Sequence, residues 1–469
     1  MLSSLFDREK GRARRIFTSY KSLGKGASFV KCMNLLYVND ETNRYPHNSW
    51  YTATSELLPD FEPLTHEISV DVAIIGGGYA GLTAGLFLAR AGADTALLEA
   101  QKVGFGASGR NGGQLGAGQR MDQRDLIKLV GENLGDKLWH LADDAIDTVK
   151  TIIKRDKIDC FLRPGIANLG NSSSGASDLH SYAEFLEKRY KQGNVDIISK
   201  EESLELCISN AYKGGILFSN AAHLHPLRYA LGIAKAGREN GLRIFEQSPV
   251  QKINKGDTIT LRTNRTSVKA KYVVYACNGY LGDLEPKVAA RVMPINNYIV
   301  ATEPLTEAKH TVLSKDIAVA DSKFVVNYFR MAHDKMGYFL EGQKATGYKF
   351  PQNIASKVRK PMLKIFPQLD DIKIDYAWGG TLGITMRRMP YFKRLSKNEF
   401  NISGFSGHGV GNATHAGKLI AQTILNQDSR GFDAMEKVPS LPFPGGRFAR
   451  SPLLVMAMTW YSLRDKIGL

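Results

Sequence analysis

A glycine-rich turn between a short apolar run and an amphipathic stretch constrains the fold more than any other feature. Residues 68–75 are apolar and largely β-branched, which is typical of a buried parallel strand, and the turn Gly76-Gly77-Gly78-Tyr79-Ala80-Gly81 follows directly. Helical periodicity continues over residues 82–90, and residues 95–99 indicate a second strand. This order predicts the strand–turn–helix–strand unit with which a Rossmann-like, dinucleotide-binding domain begins.

Each glycine of this turn has a separate task in such a unit. Gly76 allows the tight turn, Gly78 lets the backbone approach a pyrophosphate, and Gly81 permits close packing of the helix on the strand. The amides at the helix N-terminus attract phosphate, and Glu99, 18 residues after Gly81, is placed to accept hydrogen bonds from ribose hydroxyls. The residues predicted to contact the dinucleotide are Gly76, Gly78, Tyr79, Ala80, Gly81 and Glu99.

A second glycine-rich run, residues 104–114 (GFGASGRNGGQ), favours FAD over NAD, a choice that a Rossmann unit alone does not make. Successive small residues leave backbone amides free to line a large planar ligand, and the side chains of Ser108 and Arg110 can reach phosphate. A flexible linker is the alternative interpretation. The run predicts FAD contacts from Ala107, Ser108, Arg110, Asn111, Gly112, Gly113 and Gln114.

At this motif the sequence resembles the FAD-dependent oxidoreductases of the D-amino-acid oxidase and glycine/sarcosine oxidase superfamily. Three further stretches agree with that pattern: residues 245–250, 271–280 and 403–411. The resemblance implies that the first meets the adenine, the second closes over the ribose and pyrophosphate, and the third faces the flavin before a helix near Asn412. The FAD contacts that it adds are Val250, Ala276, Asn278, Gly279, Gly407, His408, Gly409, Val410 and Gly411.

Within that superfamily, the chain is similar to the gamma-glutamylputrescine oxidases from about residue 43 to its end. The stretches that carry this resemblance are 104–114, 223–226, 366–369 with Trp378, 442–447 and 460–465. It implies putrescine catabolism, in which gamma-glutamylputrescine or a similar polyamine derivative is oxidised to an aldehyde and ammonia while oxygen is reduced to hydrogen peroxide. In sarcosine oxidase relatives a cysteine after the tryptophan can bond the flavin. Residues 378–390 contain none, so we expect non-covalent FAD.

Two other functions remain open at this stage. One is an amino-acid or N-methyl-amino-acid dehydrogenase that passes electrons to a quinone or another carrier instead of molecular oxygen. The other is a flavin-binding protein without turnover that acts as an interaction partner. The sequence does not distinguish these electron acceptors, nor does it identify the amine or the oligomeric state.

Four side chains are candidates for contact with the substrate or the flavin. The resemblance places His408 beside the flavin, with a hydrogen bond to the backbone as its alternative role. His225, which precedes a proline, either faces the site or caps the following helix. Arg330 would clamp a substrate carboxylate or form a structural ion pair. Tyr328 is a candidate pocket aromatic, as is Tyr298, with packing inside a sheet as the alternative.

The order of elements predicts an α/β fold in which a discontinuous, Rossmann-like FAD-binding domain carries an inserted β-rich substrate domain. The segments predicted for the FAD-binding domain are 66–150, 215–290 and 376–430. The segments predicted for the substrate-binding or cap domain are 151–214 and 291–375. The flanking segments are a basic N-terminal extension, 1–42, and a C-terminal segment, 431–469.

Composition narrows the range of partners and compartments. No run approaches the roughly 18–20 apolar residues of a membrane-spanning helix. The four cysteines are scattered, without CxxC pairs or histidines at metal spacing, so we expect no metal site and a reducing, cytoplasmic compartment. The net charge of +16 comes without a nucleic-acid motif, and we therefore expect a small-molecule amine partner and no nucleic acid.

Two terminal segments leave alternatives open. The basic arm in residues 1–42 resembles an organelle transit peptide, but Asp7 and Glu9 favour a solvated arm. The apolar segment 453–463 lies between Arg450 and Arg464. It would dock on a membrane surface or pack as a C-terminal helix on its own domain, and we expect the packed helix.

Overall fold

Two β-sheets, joined by repeated crossings of the chain, organise the part of the protein that the structure describes. The computed structural model describes residues 35–39, 44–191, 193–323, 326–332, 336–341 and 349–444, with backbone alone for 336–341. Most of the predicted N-terminal extension and the apolar segment 453–463 lie outside the described residues. None of the helices in the described ranges combines the length and the apolar character needed to cross a bilayer.

Within the described ranges, seventeen strands form the sheets. In chain order they are β1 (Ile68–Ile75), β2 (Thr95–Leu98), β3 (Gln114–Leu115), β4 (Arg163–Leu169), β5 (Val195–Ile198), β6 (Gly215–His223), β7 (Arg243–Phe245), β8 (Lys252–Asn254), β9 (Ile259–Arg262), β10 (Ser267–Tyr275), β11 (Met293–Pro304), β12 (Ala318–Asp321), β13 (Asn327–Met331), β14 (Met336–Glu341), β15 (Ile374–Ile384), β16 (Tyr391–Ser396) and β17 (Glu399–Ser403).

Eleven α-helices connect or cover the strands in the described part of the chain. They are α1 (Trp50–Ala53), α2 (Tyr79–Arg90), α3 (Gln123–Val130), α4 (Glu132–Arg155), α5 (Ser173–Tyr190), α6 (Lys200–Leu206), α7 (Pro226–Glu239), α8 (Pro286–Ala289), α9 (Ile354–Ile365), α10 (Gly409–Ile424) and α11 (Arg430–Glu436).

The first sheet has the strand order β16-β17-β10-β1-β2-β7, with β8 and β9 attached to β10. Its inner strands are parallel: Ile68 pairs with Val268, and Val72 pairs with Thr95. Because parallel strands are buried on both faces, β1 is apolar along its whole second half. Val72 and Ile74 pack under α2, α7 and α10, whereas Ala73 and Ile75 pack on the side of β9.

The second sheet has the order β15-β11-β14-β13-β12-β4-β6-β3, and β5 pairs with β6. Successive side chains of a strand point to opposite faces of the sheet, so alternate side chains of β11 have different surroundings. Ile295, Asn297 and Ile299 line a large cavity. Tyr298 and Val300 instead enter the apolar core that α9 covers on the other face. One face of this sheet is therefore a cavity wall and the other is core.

The predicted α/β fold class is confirmed. In the opening unit, β1 has the predicted bounds, α2 begins three residues before the predicted residue 82, and β2 ends one residue before the predicted residue 99. Strand pairing departs from the predicted segment boundaries in two places. β6, expected within the FAD-binding segment 215–290, pairs with β4 and β5 in the second sheet. β15, expected mostly within 376–430, pairs with β11 there. Apolar alternation predicts a strand, but it does not identify the neighbour that completes its hydrogen bonds.

Candidate active site

A cavity of about 630 Å³ is lined by residues of both sheets. Its wall begins at the turn after β1, follows the second glycine-rich run, and ends on β11, β12 and β13 of the second sheet. The predicted site residues on this wall are Gly76, Gly78, Tyr79, Ala80, Glu99, Ala107, Ser108, Arg110, Asn111, Gly112, Gln114, Val250, Ala276, Asn278, Tyr328, Gly407, His408, Gly409 and Val410. The predicted residues off it are Gly81, Gly113, Gly279, Gly411, His225 and Arg330.

The turn after β1 requires its glycines for different steric reasons. Gly76 has φ of +110°, and a Cβ there would lie 2.8 Å from the carbonyl oxygen of Ala276. At Gly81 a Cβ would lie 2.0 Å from the carbonyl oxygen of Gly76, so the helix contacts the turn directly. Gly78 has only the hydroxyl of Ser108 within 3 Å of its would-be Cβ. The space beside Gly78 is thus open toward the cavity.

Glu99 is buried at the end of β2. One carboxylate oxygen accepts a hydrogen bond from the amide of Gly77 at 2.6 Å, and the other accepts from the amide of Gln101 at 2.8 Å. Loss of hydration raises the pKa of Glu99 to about 7, although these hydrogen bonds oppose the rise. The carboxylate therefore joins the glycine turn to the second strand as well as lining the cavity.

The second glycine-rich run is held by its own polar side chains. Ser108 Oγ accepts a hydrogen bond from the amide of Tyr79 at 2.9 Å, at the N-terminus of α2. Asn111 donates to the carbonyl oxygens of Ala107 and Ser108 at 3.0 Å. Arg110 lines the cavity, is 2% exposed, and donates from Nε and Nη1 to the carbonyl oxygens of Phe105 and Gly379, and its contact with phosphate stays a prediction.

His408 immediately precedes α10 and lines the cavity. Its Nε2 lies 3.0 Å from the carbonyl oxygen of Gly118 and must donate, because a carbonyl only accepts. Loss of hydration, followed by the nearby charge of Arg120, lowers the pKa of His408 to about 4, so the ring is neutral at pH 7. The cavity position and the hydrogen bond to the backbone, which were the two predicted alternatives, are therefore found together. α10 begins at Gly409, three residues before the expected Asn412.

Arg330 corrects a predicted role. The side chain is 6% exposed and does not line the cavity. Its Nε donates to the carbonyl oxygen of Gly112 at 2.8 Å, and Nη2 donates to that of Leu224 at 3.1 Å. The guanidinium thus ties β13 to the glycine-rich run instead of lining the cavity as a clamp for a substrate carboxylate, so the structural role is the one of its two predicted roles that fits.

His225 takes the second of its two predicted roles. It caps α7, where its Nδ1 accepts a hydrogen bond from the amide of Arg228 at 3.3 Å. Its ring packs against Trp50 and Tyr51, with centroid distances of 5.0 and 4.9 Å. We therefore withdraw it as a candidate for contact with the substrate.

The two candidate pocket aromatics separate. Tyr328 lines the cavity from β13. Tyr298 is 1% exposed on the opposite face of β11, where it packs against Phe350 at a centroid distance of 6.1 Å. Sheet packing therefore accounts for Tyr298, and Tyr328 remains a substrate-contact candidate.

Two polar residues that the sequence did not predict for the site, Asn297 and Arg120, lie on the cavity wall. Asn297 Oδ1 and Arg120 Nε are both buried, and neither has a hydrogen-bond partner among the described residues. Asn296 and Asn297 interrupt the apolar residues of β11, and Arg120 lies six residues after the glycine-rich run 104–114. The asparagine pair was an available signal, whereas the sequence pattern did not single out Arg120.

The fold and the cavity define a Rossmann-type dinucleotide-binding enzyme with a second sheet over its ligand. The family model "DAO: FAD dependent oxidoreductase" matches residues 71–423. Gamma-glutamylputrescine oxidoreductase of Escherichia coli is 38% identical over 424 residues, which cover 90% of this chain and 99% of that protein. The chain therefore belongs to the DAO family of FAD-dependent oxidoreductases.

Solved structures agree in fold. Glycine oxidase from Geobacillus kaustophilus superposes with a TM-score of 0.65 at 19% identity, covering 77% of this chain and 96% of that one. L-Proline dehydrogenase from P. horikoshii superposes with a TM-score of 0.64, also at 19% identity, over 78% of this chain and 95% of that one.

The residues of the site fit FAD, the family's cofactor. The cavity lies within the roughly 300–1,000 Å³ of ordinary ligand sites and extends well beyond the nucleotide turn. The open space at Gly78 and the N-terminus of α2 suit a pyrophosphate. The N-terminus of α10 opens on the same cavity and offers a second partial positive charge.

Proposed function

We propose that this protein oxidises a primary amine, gamma-glutamylputrescine or a similar polyamine derivative, with molecular oxygen as the electron acceptor. Amine, oxygen and water would give aldehyde, ammonia and hydrogen peroxide. A C–H and an N–H bond of the substrate are broken, and two electrons and two protons reach oxygen. The relative that acts on gamma-glutamylputrescine, at 38% identity over nearly its whole length, supports this substrate class.

The observation that carries the proposal is the continuity of the cavity between the two sheets. One wall contains the nucleotide turn, and the other contains Asn297, Tyr328 and the apolar side chains of Ile295 and Ile299. A site for the cofactor alone does not require this second wall. The continuity supports turnover of a small molecule over simple flavin binding.

Bound FAD supplies the two-electron acceptor for amine oxidation. The substrate nitrogen must lose its proton before oxidation, and an apolar wall disfavours the ammonium form. Asn297 Oδ1 would accept a hydrogen bond from the neutral amine and so orient the neighbouring C–H bond. His408, neutral and bonded to Gly118, would keep its loop in place beside the N-terminus of α10.

The test is a substrate panel on the purified, FAD-loaded protein. Each amine is mixed separately with the protein under anaerobic conditions, and bleaching of the flavin absorbance is followed. The amines are gamma-glutamylputrescine, putrescine, N-acetylputrescine, sarcosine and D- and L-amino acids. Peroxide is then measured in air with each amine that bleaches the flavin. Bleaching by gamma-glutamylputrescine with stoichiometric peroxide is expected.

Other results would favour the rival functions. Bleaching without peroxide, together with rapid reduction of an added quinone, would favour a carrier-linked dehydrogenase. Bleaching by sarcosine or amino acids, but by none of the putrescine derivatives, would favour an amino acid or N-methyl-amino acid as the substrate. A spectrum that no amine changes would favour a flavin-binding interaction partner.

A further inference from the structure

Three arginines line the described wall of the cavity, and they are not equivalent. Arg110 is held by the carbonyl oxygens of Phe105 and Gly379. Arg388 has an interaction partner of its own within the protein. No described hydrogen bond or ion pair holds the side chain of Arg120, and its buried Nε has no acceptor among the described residues. A buried donor without an acceptor costs free energy, so its persistence calls for a ligand.

The three carboxylates on the same wall are already engaged, and Glu99 accepts the amide hydrogen bonds of Gly77 and Gln101 described above. Asp122 receives hydrogen bonds from the amide of Arg124 at 2.8 Å and from its Nη2 at 2.7 Å. Asp321 receives them from the amide of Asn327 at 2.9 Å and its Nδ2 at 2.6 Å. No carboxylate among the described residues forms an ion pair with Arg120. Its guanidinium therefore lines the cavity without a described ion-pair partner.

The position of Arg120 separates it from the pyrophosphate end. The carbonyl oxygen of Gly118, two residues earlier, accepts from His408 at the start of α10. The amide of Gln123, three residues later, donates to the hydroxyl of Tyr182 on α5 at 3.4 Å. Tyr182 itself lines the cavity. Arg120 thus lies between α10 and a helix packed on the second sheet, whereas the pyrophosphate cradle lies at α2.

We propose that Arg120 binds a carboxylate carried by the amine substrate, and that this contact selects amines that carry a carboxylate over amines that carry none. This proposal rests on the amine-oxidase function proposed above. A gamma-glutamyl group carries such a carboxylate, on the same carbon as its α-ammonium, at the end remote from the reacting nitrogen. The planar guanidinium matches a carboxylate with paired, charge-assisted hydrogen bonds, and free putrescine would meet the same charge with a second ammonium.

The test uses two ligands that cannot be oxidised. N-Butylglutaramic acid has a carboxylate, an amide and a butyl chain but no amine, and its methyl ester lacks only the negative charge. Each is titrated into the FAD-loaded protein, and the Kd is read from the change in flavin absorbance. We expect the acid to bind at least about tenfold more tightly than the ester in the parent protein, from the strength of charge-assisted hydrogen bonds.

Three variants locate that preference. Arg120→Gln, and Arg120→Met as a second variant that keeps the apolar stem, are each expected to bind acid and ester within about twofold of one another. Arg265→Gln is the matched control, since Arg265 is exposed in the turn between β9 and β10 and does not line the cavity. It removes the same charge and should keep the parent ratio. FAD content, flavin reduction potential and unfolding midpoint are recorded for each.

Several outcomes would overturn the proposal. The first is equal binding of the acid and the ester by the parent protein. The second is an unchanged ratio of the two Kd values in whichever Arg120 variant folds. The third is an Arg120 variant that loses FAD or has a shifted flavin reduction potential while the ratio of Kd values is preserved. The last would assign Arg120 to the cofactor. Failure of the proposed function looks different: no amine bleaches the flavin, while the preference for the acid still depends on Arg120.

Discussion

Arg330 of β13 and Gly112, two residues before β3, are joined by a hydrogen bond of 2.8 Å from the guanidinium Nε to the glycine carbonyl oxygen. Further donors of Arg330 bind the carbonyl oxygens of Leu224 and Met331. An arginine that satisfies several main-chain carbonyls is a structural tie, because its removal leaves buried acceptors without donors. The glycine-rich run on the cavity wall thus depends on a residue of the second sheet.

Arg330→Ala is therefore expected to lower the free energy of unfolding by about 2–5 kcal/mol. The ratio of kcat/KM values for gamma-glutamylputrescine and putrescine should stay unchanged in the fraction that folds. Urea unfolding and steady-state kinetics measure the two quantities. A stable variant with an altered substrate ratio would restore the carboxylate clamp that the sequence suggested.

The contrast between Gly78 and Gly81 gives a prediction about cofactor binding. Gly78→Val should abolish FAD binding while the protein stays folded, because a side chain there meets only the Ser108 hydroxyl and otherwise fills cavity space. Gly81→Ala should destabilise the whole protein, because its methyl group overlaps the Gly76 carbonyl. Flavin content and circular dichroism distinguish the two effects. A Gly78→Val protein fully loaded with FAD would refute the assignment of the turn.

FAD should be released intact by acid or heat. The cysteine nearest the nucleotide turn on the described wall, Cys277, is held against the carbonyl oxygen of Ile75, and burial raises the pKa of its thiol to about 12. A thiol of that pKa is an unreactive nucleophile at neutral pH. The supernatant after precipitation should contain all the flavin. Flavin that stays with the precipitate would contradict non-covalent binding.

Asn297 and Asn296 offer a matched pair for the amine contact. Asn297→Leu should lower kcat/KM about five- to tenfold, the effect of losing one hydrogen bond, without lowering stability. Asn296 faces the other way and accepts a hydrogen bond from Thr381 at 2.9 Å. Asn296→Leu should lower stability and leave kcat/KM of the folded enzyme unchanged. The proposed orientation of the amine fails if the two variants have the same kinetics as the parent.

His415 predicts sensitivity to acid. His415 lies on α10 and is 5% exposed, and its Nδ1 forms a hydrogen bond with the hydroxyl of Thr148 on α4. Loss of hydration lowers the pKa of His415 to about 3. Below the unfolded pKa of about 6.5 the unfolded chain binds a proton that the folded protein does not, so stability falls as the pH drops from 6.5 toward 3. Between pH 7 and 4.5 this group alone should cost about 2 kcal/mol.

His415→Leu should remove that part of the pH dependence. Urea midpoints at pH 7 and pH 4.5 give the two free energies of unfolding, and the difference between them should be smaller in the variant. Thr148→Val is the control, since it removes the hydroxyl partner but keeps the titrating ring. An equal loss of stability in the parent and in His415→Leu would assign the acid sensitivity to other groups.

Local sequence patterns predicted the helices and strands whose bounds depend on neighbouring residues in the sequence. β1 runs over the predicted residues 68–75. Apolar periodicity over residues 122–160 predicts helix with interruptions at Gly131 and Gly135. The helix breaks at Gly131, whose φ is +84°, but it continues through Gly135 within α4. The Ser/Gly composition of residues 171–175 predicts a loop, and this prediction is partly wrong. Ser172 caps a helix that already begins at Ser173, by accepting a hydrogen bond from the amide of Gly175. Serine favours both loops and caps, so composition alone does not decide between them.

Long-range partners were the part that could not be predicted. Arg330 and Arg120 are both arginines near aromatic or glycine-rich sequence, and only the packed structure shows that Arg330 binds main-chain carbonyls while Arg120 faces the cavity. The side of the sheet on which Tyr298 falls depends on the register of β11 against β15. Such registers are set by contacts between residues far apart in sequence.

The parallel pairing in the first sheet has a consequence for how the protein is made. Ile68 pairs with Val268, β10 in turn pairs with β17, and α10, which packs on α2, ends at Ile424. During synthesis the first glycine turn therefore emerges from the ribosome long before the strands and helix that support it. We expect nascent chains shorter than about residue 424 to capture no flavin and to rely on chaperones until the last crossing is complete.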